Sequence, residues 1–117
     1  MADFISIDNF KEMTSAQKDM YQIFFGNFTD GTNIAEGTVL RDKFGMRIVD
    51  GGLIIRLPDT AELLEFLILH NKVKLSLNAK NQLQIIVLTD ATGLSPKQAL
   101  WKAVKERIQE AVVANVG

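Results

Sequence analysis

Few residues in this 117-residue chain combine the types and spacing that chemistry requires. His70 is the single histidine, and there is no cysteine. A catalytic histidine needs a positioned nucleophile and an orienting carboxylate, and none stands at a recognisable spacing. One histidine without thiolates also falls short of a zinc ligand set. Its expected place is a helix C-terminus, half-packed beside Leu63, Phe66 and Leu67 and near the last carbonyls. Asp30-Gly31-Thr32-Asn33 with Glu36 resembles a calcium loop only superficially. The oxygen spacing and glycine position of that motif are missing, so a turn-rich loop is expected. Asp50 or Asp90 could meet Glu36 in space, which would give an enzyme an unadvertised acidic pair. Thr92-Gly93-Leu94-Ser95-Pro96 sets a helix start after a strand, where an anion could sit, but such a turn is usually filled by its own cap. No Gly-rich phosphate cradle or nucleotide-binding lysine motif occurs. No catalytic residue, metal ligand or cofactor-binding residue is therefore assigned.

The basic side chains form a pattern with more spatial logic. Arg47 and Arg56 belong to a hairpin in which they share the face opposite the core. Arg41 and Lys43 join them if the strand extends back, and Lys74 takes the corresponding face of a second hairpin. With both hairpins in one sheet, Arg41, Lys43, Arg47, Arg56 and Lys74 would make an open, locally basic platform for an anion or an acidic partner. The bland reading is a solvated sheet face. Nucleic acid is disfavoured, because no aromatic residue falls at the outward positions to stack a base. The outward apolar residues, Val49, Ile54 and Ile86, are aliphatic and suit a protein contact.

These residues must be positioned by elements that the pattern marks clearly. Thr14 and Gln17 form a capping box ahead of a helix over about 15–25, which Gly26 stops. Residues 27–38 read as a loop, with Asp30-Gly31 as a turn. Phe4, Ile5 and Ile7 read as a short edge strand. Phe44, Met46 and Ile48 alternate up to Asp50, and Leu53, Ile55 and Leu57 resume after Gly51-Gly52. A two-residue turn, either Asp50-Gly51 or Gly51-Gly52, keeps all six on one face. Asp59 and Glu62 open a helix over about 59–71. Val73, Leu75 and Leu77 then face Leu83, Ile85 and Val87, provided that the loop is Ala79-Lys80-Asn81, with Asn81 left-handed. Ser95 and Pro96 start a last helix over about 95–115. Trp101 and Phe28 are possible interface anchors, Trp101 equally a core-rim residue. Arg107 is expected to lay its stem over the core, and Lys102 with Glu106 to form a surface pair. The fold class is α+β in one domain, 1–117. An antiparallel sheet is built from two hairpins, about 44–57 and 73–88, with helices mainly on one face.

One helix is too apolar for that arrangement. Leu63, Leu64, Phe66, Leu67, Ile68 and Leu69 cover roughly two-thirds of its circumference, whereas a helix on a sheet needs a stripe little over ~100° wide. A second copy is the expected cover, with Leu64, Ile68 and Leu69 as oligomer interface.

Composition bounds the function classes. Apolar residues make up 47% and charged residues 23%, as in ordinary globular chains, and the net charge is −1, unlike a dedicated nucleic-acid binder. The first residues do not read as a signal peptide, and Asn27-Phe28-Thr29 matches the glycosylation pattern only by chance. No apolar run approaches the ~20 residues of a membrane span. A cysteine-free chain suits the cytoplasm. The expected function is a non-enzymatic, self-associating structural, accessory or partner-binding protein, possible as a component of a larger cellular or viral assembly. A homo-oligomer is expected, with a further protein partner possible and no cofactor or membrane partner. An anion- or nucleic-acid-binding module is the alternative.

Overall fold

The computed structural model describes residues 5–28, 33–42 and 45–116. In chain order the elements are α1 (Ile7–Lys11), α2 (Ser15–Phe25), β1 (Asn27–Phe28), β2 (Val39–Asp42), β3 (Gly45–Asp50), β4 (Leu53–Leu57), α3 (Thr60–Leu69), β5 (Val73–Leu77), β6 (Leu83–Val87) and α4 (Pro96–Val116). The fold is α+β, with antiparallel strands throughout.

Local chemistry sets the helix boundaries. Thr14 accepts the Gln17 N–H at 3.2 Å, and Gln17 returns a bond to the Thr14 N–H at 2.8 Å. Asp59 and Glu62 do the same for α3, and Ser95 and Gln98 for α4. Each box satisfies two amides that a helix start otherwise leaves open. The expected edge strand at Ile5–Ile7 is instead the entry to α1. Ser6 caps that helix, and Asn9 reciprocates in place of the usual glutamate. Ile5 still meets the sheet's end, donating its N–H to the Pro58 carbonyl at 3.0 Å. Phe4, the Asp30-Gly31 turn, Lys43 and Phe44 lie outside the described residues.

The β3–β4 hairpin has the expected two-residue turn. Asp50 pairs with Leu53, and Gly51 and Gly52 take φ of 62° and 77°. Glycine is suited to a turn that requires positive φ at both positions. Met46, Ile48, Leu53, Ile55 and Leu57 therefore share a face, on which α2, α3 and α4 pack. Ile5, Phe10, Tyr21, Ile48, Ile55, Leu57, Leu63, Leu67, Val104 and Ile108 form the dry centre.

The two hairpins do not share a sheet. One sheet has the order β1-β4-β3-β2, and β5-β6 stands as a separate pair. The reason lies in residues 27–42, which the sequence presents as loop and open strand extension. Asn27 and Phe28 pair with Ile55 and Ile54, closing the free edge of β4, and β2 closes the edge of β3. No edge is left beside the first hairpin for the second to join.

Instead, β5-β6 projects as an arm. At its base Val73 and Val87 pack against the core, and the Leu88 N–H bonds the Lys72 carbonyl at 2.9 Å. Its tip has the expected three-residue loop, with Asn81 at φ 60° and the Asn78 Oδ1 accepting the Lys80 and Gln82 N–H groups, both at 2.9 Å. The molecule measures 54 × 41 × 24 Å, with a radius of gyration of 15.5 Å. A compact chain of this length would have about 13 Å.

Candidate self-association surface

The arm exposes a face that belongs, by its residue types, in a core. Side chains alternate along a strand, so Val73, Leu75, Leu77, Leu83, Ile85 and Val87 line one side of β5-β6. Only the basal pair, Val73 and Val87, reaches the protein interior. Beyond it Leu75 and Ile85, directly opposed, are 62% and 46% exposed, and Leu77 and Leu83 are 61% and 68% exposed. The core face thus runs on past the end of its core. The reverse side carries Lys74, Ser76, Gln84 and the exposed Ile86. An isolated two-stranded hairpin is marginal in water, and a third strand or a packed face normally supports it.

The α3 surface, expected to be the main excess of apolar area, is mostly used internally. Leu63, Phe66 and Leu67 are buried in the core. Leu64 is half-buried where the starts of α3 and α4 meet, in an open cleft shared with Thr60, Ala61, Pro96 and Leu100. Ile68 at 46% and Leu69 at 73% exposure remain uncovered at the helix end, four to five residues before the arm begins. The excess is real at these two positions. The larger one lies on the arm, where a single-sheet reading hides it.

The basic platform is not assembled as expected. Arg47 and Arg56 are cross-strand partners, as the Gly51-Gly52 turn requires. However, the Arg56 guanidinium donates to the Glu62 carboxylate at the start of α3. Arg41 pairs with Met46, so it sits on the opposite face from Arg47. β3 begins at Gly45 and β2 runs antiparallel to it, with Asp42 opposite Gly45, and that changes the parity. Lys74 is on the arm, in the other sheet. Val49 and Ile54, expected to face outward, are buried, so the second face of the large sheet is not an open surface there. Lys43 lies outside the described residues.

Other candidates resolve into structural roles. His70 caps the C-terminus of α3 and stacks on Phe66 with centroids 4.1 Å apart. Its Nδ1 accepts from Arg107 Nε at 3.1 Å, and Arg107 also lies over the Phe24 ring. Burial, then the charges of Arg107 and Lys72, hold the imidazole below its ordinary pKa. Trp101 is a buried core residue and no interface anchor; its Nε1 donates to Glu12 at 2.9 Å. The Phe28 side chain lies outside the described set. Lys102 reaches the Asp90 carbonyl at 2.7 Å, while Glu106 accepts from the Thr89 hydroxyl, so the two are drawn apart from the expected surface pair. Glu36 and Asp50 do line one cleft of about 270 Å³ with Lys11 and Lys18. There Glu36 accepts the Gly51 N–H at 2.7 Å, and Asp50 lies 3.9 Å from Lys18. These are supports for the β3–β4 turn.

No family model, no curated protein and no solved structure matches this chain.

The physical features of the surface must therefore speak for it. Among the described residues no helix is long and apolar enough to cross a membrane. The exposed aliphatic patch is displayed on a paired β-hairpin. Exposed apolar area rimmed by polar residues marks a site where another surface or ligand docks.

Proposed function

We propose that this chain is a non-enzymatic, self-associating structural or accessory protein that acts in the cytoplasm as part of a larger assembly. The observation that carries the reading is the arm's aliphatic face, with Leu75, Leu77, Leu83 and Ile85 uncovered. An exposed β-face of leucine and isoleucine has no reason to persist in water unless another surface meets it. Fully burying each such side chain is worth roughly 1.5–3 kcal/mol. Ile68 and Leu69 are also uncovered, but they stand at the end of α3 and not on the arm's face. The pairing of Arg56 with Glu62 and the separation of Lys74 weigh against an anion-binding sheet face.

The test is the mass of the untagged protein by light scattering, from sub-micromolar to about 100 µM. A multiple of the 13.0 kDa chain, dissociating on dilution, is expected. A monomer across the whole range would remove the reading.

A further inference from the structure

The surface left open on the arm calls for an occupant. We infer that it is the same surface of a second copy, the two hairpins packing face to face about a twofold axis, each tip over its partner's base. This inference rests on the self-association proposed above and assigns the surface responsible.

Area is the first argument. The chain exposes 7348 Å². A compact monomer of 13.0 kDa exposes about 6,300 Å², so roughly 1,000 Å² is in excess. A standard interface removes about 800 Å² from each partner. The excess is thus of the size that one pairing would bury.

Chemistry favours a second copy over an unlike partner. The face presents only leucine, isoleucine and valine. It offers no charge or hydrogen-bonding group to specify a foreign surface, and it is complementary to itself. Closed twofold pairing is the commonest solution for such a patch. Stacked, the two hairpins become a small four-stranded sandwich, which supplies the packed layer that a lone hairpin lacks.

Charge sets the direction. Residues 72–88 contain Lys72, Lys74 and Lys80 and no acidic residue. The arm's base carries Glu106 and Glu110 on α4, Glu106 accepting from Thr89 and Glu110 lying 2.9 Å from Lys72 and 3.8 Å from Arg107. A tip-to-tip pair would bring two Lys80 side chains together. The tip-to-base pair carries each Lys80 towards the partner's Glu106 and Glu110.

The experiment compares three chains by light scattering and sedimentation: the unmodified protein, Leu75→Glu/Leu83→Glu, and Leu69→Glu. The arm variant is expected to raise the dimer Kd by at least about 100-fold, and Leu69→Glu to leave it within about threefold. Dissociation by Leu69→Glu, or a folded arm variant that stays dimeric, overturns the arm assignment and leaves self-association standing. A monomeric unmodified chain overturns both. Hydrogen exchange on the unmodified protein gives a check independent of any variant. Amides of 73–87 should gain protection as concentration rises through the Kd; exchange there that ignores concentration overturns the inference.

Discussion

Arg56 and Glu62 join the end of β4 to the first turn of α3. The guanidinium donates to the carboxylate, and the Glu62 N–H is at the same time capped by Asp59 at 2.8 Å. One residue thereby completes both a helix cap and a strand-to-helix tie. Its two roles are separable. Asp59→Ala removes the cap and should cost about 1 kcal/mol, lowering the thermal midpoint by about 4 °C. Glu62→Gln keeps an oxygen for the Asp59 N–H and loses only the ion pair. Because the Arg56 side chain is 41% exposed, that loss should be under about 1 kcal/mol and should shrink further in salt. Thermal unfolding followed by circular dichroism at two salt concentrations distinguishes them.

Tyr21 provides a second, sharper probe. It is fully buried, and its hydroxyl donates to the Arg56 carbonyl. Tyr21→Phe should destabilise by about 1–2 kcal/mol, since a part-buried carbonyl loses a donor. Burial pushes the phenol far above its ordinary pKa. Above pH 10 the unfolded chain has released the phenolic proton and the native chain has not, so the native state binds more protons and stability falls as pH rises. The chain has one tyrosine. Its tyrosinate absorbance should therefore appear only together with alkaline unfolding, and a smooth titration in the folded protein would contradict this.

His70 gives the opposite pH window. Burial and the neighbouring cations Arg107 and Lys72 lower its pKa in the folded state. The neutral ring is the form that accepts from Arg107. The unfolded chain takes up this proton near pH 6.5, before the native chain does. Stability should be full above about pH 6.5 and fall as acid is added through the native pKa. The histidine NMR titration should have its midpoint below 6.5. His70→Phe should flatten the stability profile over that interval, and an unchanged slope would show that other groups govern it.

The arm's tip depends on Asn81, held at φ 60°. Asn81→Gly should be tolerated, whereas Asn81→Val should strain the turn by about 1–2 kcal/mol. The Asn78 N–H bonds the Gln82 carbonyl at 3.0 Å, so exchange of the Asn78 amide reports the turn directly. It should speed up by about tenfold in Asn81→Val, with little change in the amides of α4.

Where a reading used local chemistry, the sequence was a good guide. The boxes Thr14–Gln17 and Asp59–Glu62, the Ser95 start and both hairpin loops lie where side-chain type and parity require them. Non-local features were harder to read. Ile5 and Ile7 alternate like a strand, and only the Ser6–Asn9 pairing reveals a helix, through an asparagine outside the usual pattern. Asn27–Phe28 and Val39–Asp42 are short strands with little signal of their own, and they exist as edges because β3 and β4 stand beside them. Without these two edge strands, β3 and β4 offer free edges to the second hairpin, a single sheet covers Leu75, Leu77, Leu83 and Ile85, and α3 is left as the unpaired surface. Arg41 shows the same failure on a smaller scale: one unseen reversal moved it to the other face.

A β-ribbon paired only within itself has two unsatisfied backbone rims, one along each strand. Such rims are templates for fibril growth. Lys74, projecting from β5 on the side away from the leucines, is the kind of residue that discourages stacking in register. Replacing it by valine would leave the globule intact and make the protein a candidate for open-ended polymerisation, visible as thioflavin-positive precipitate on storage.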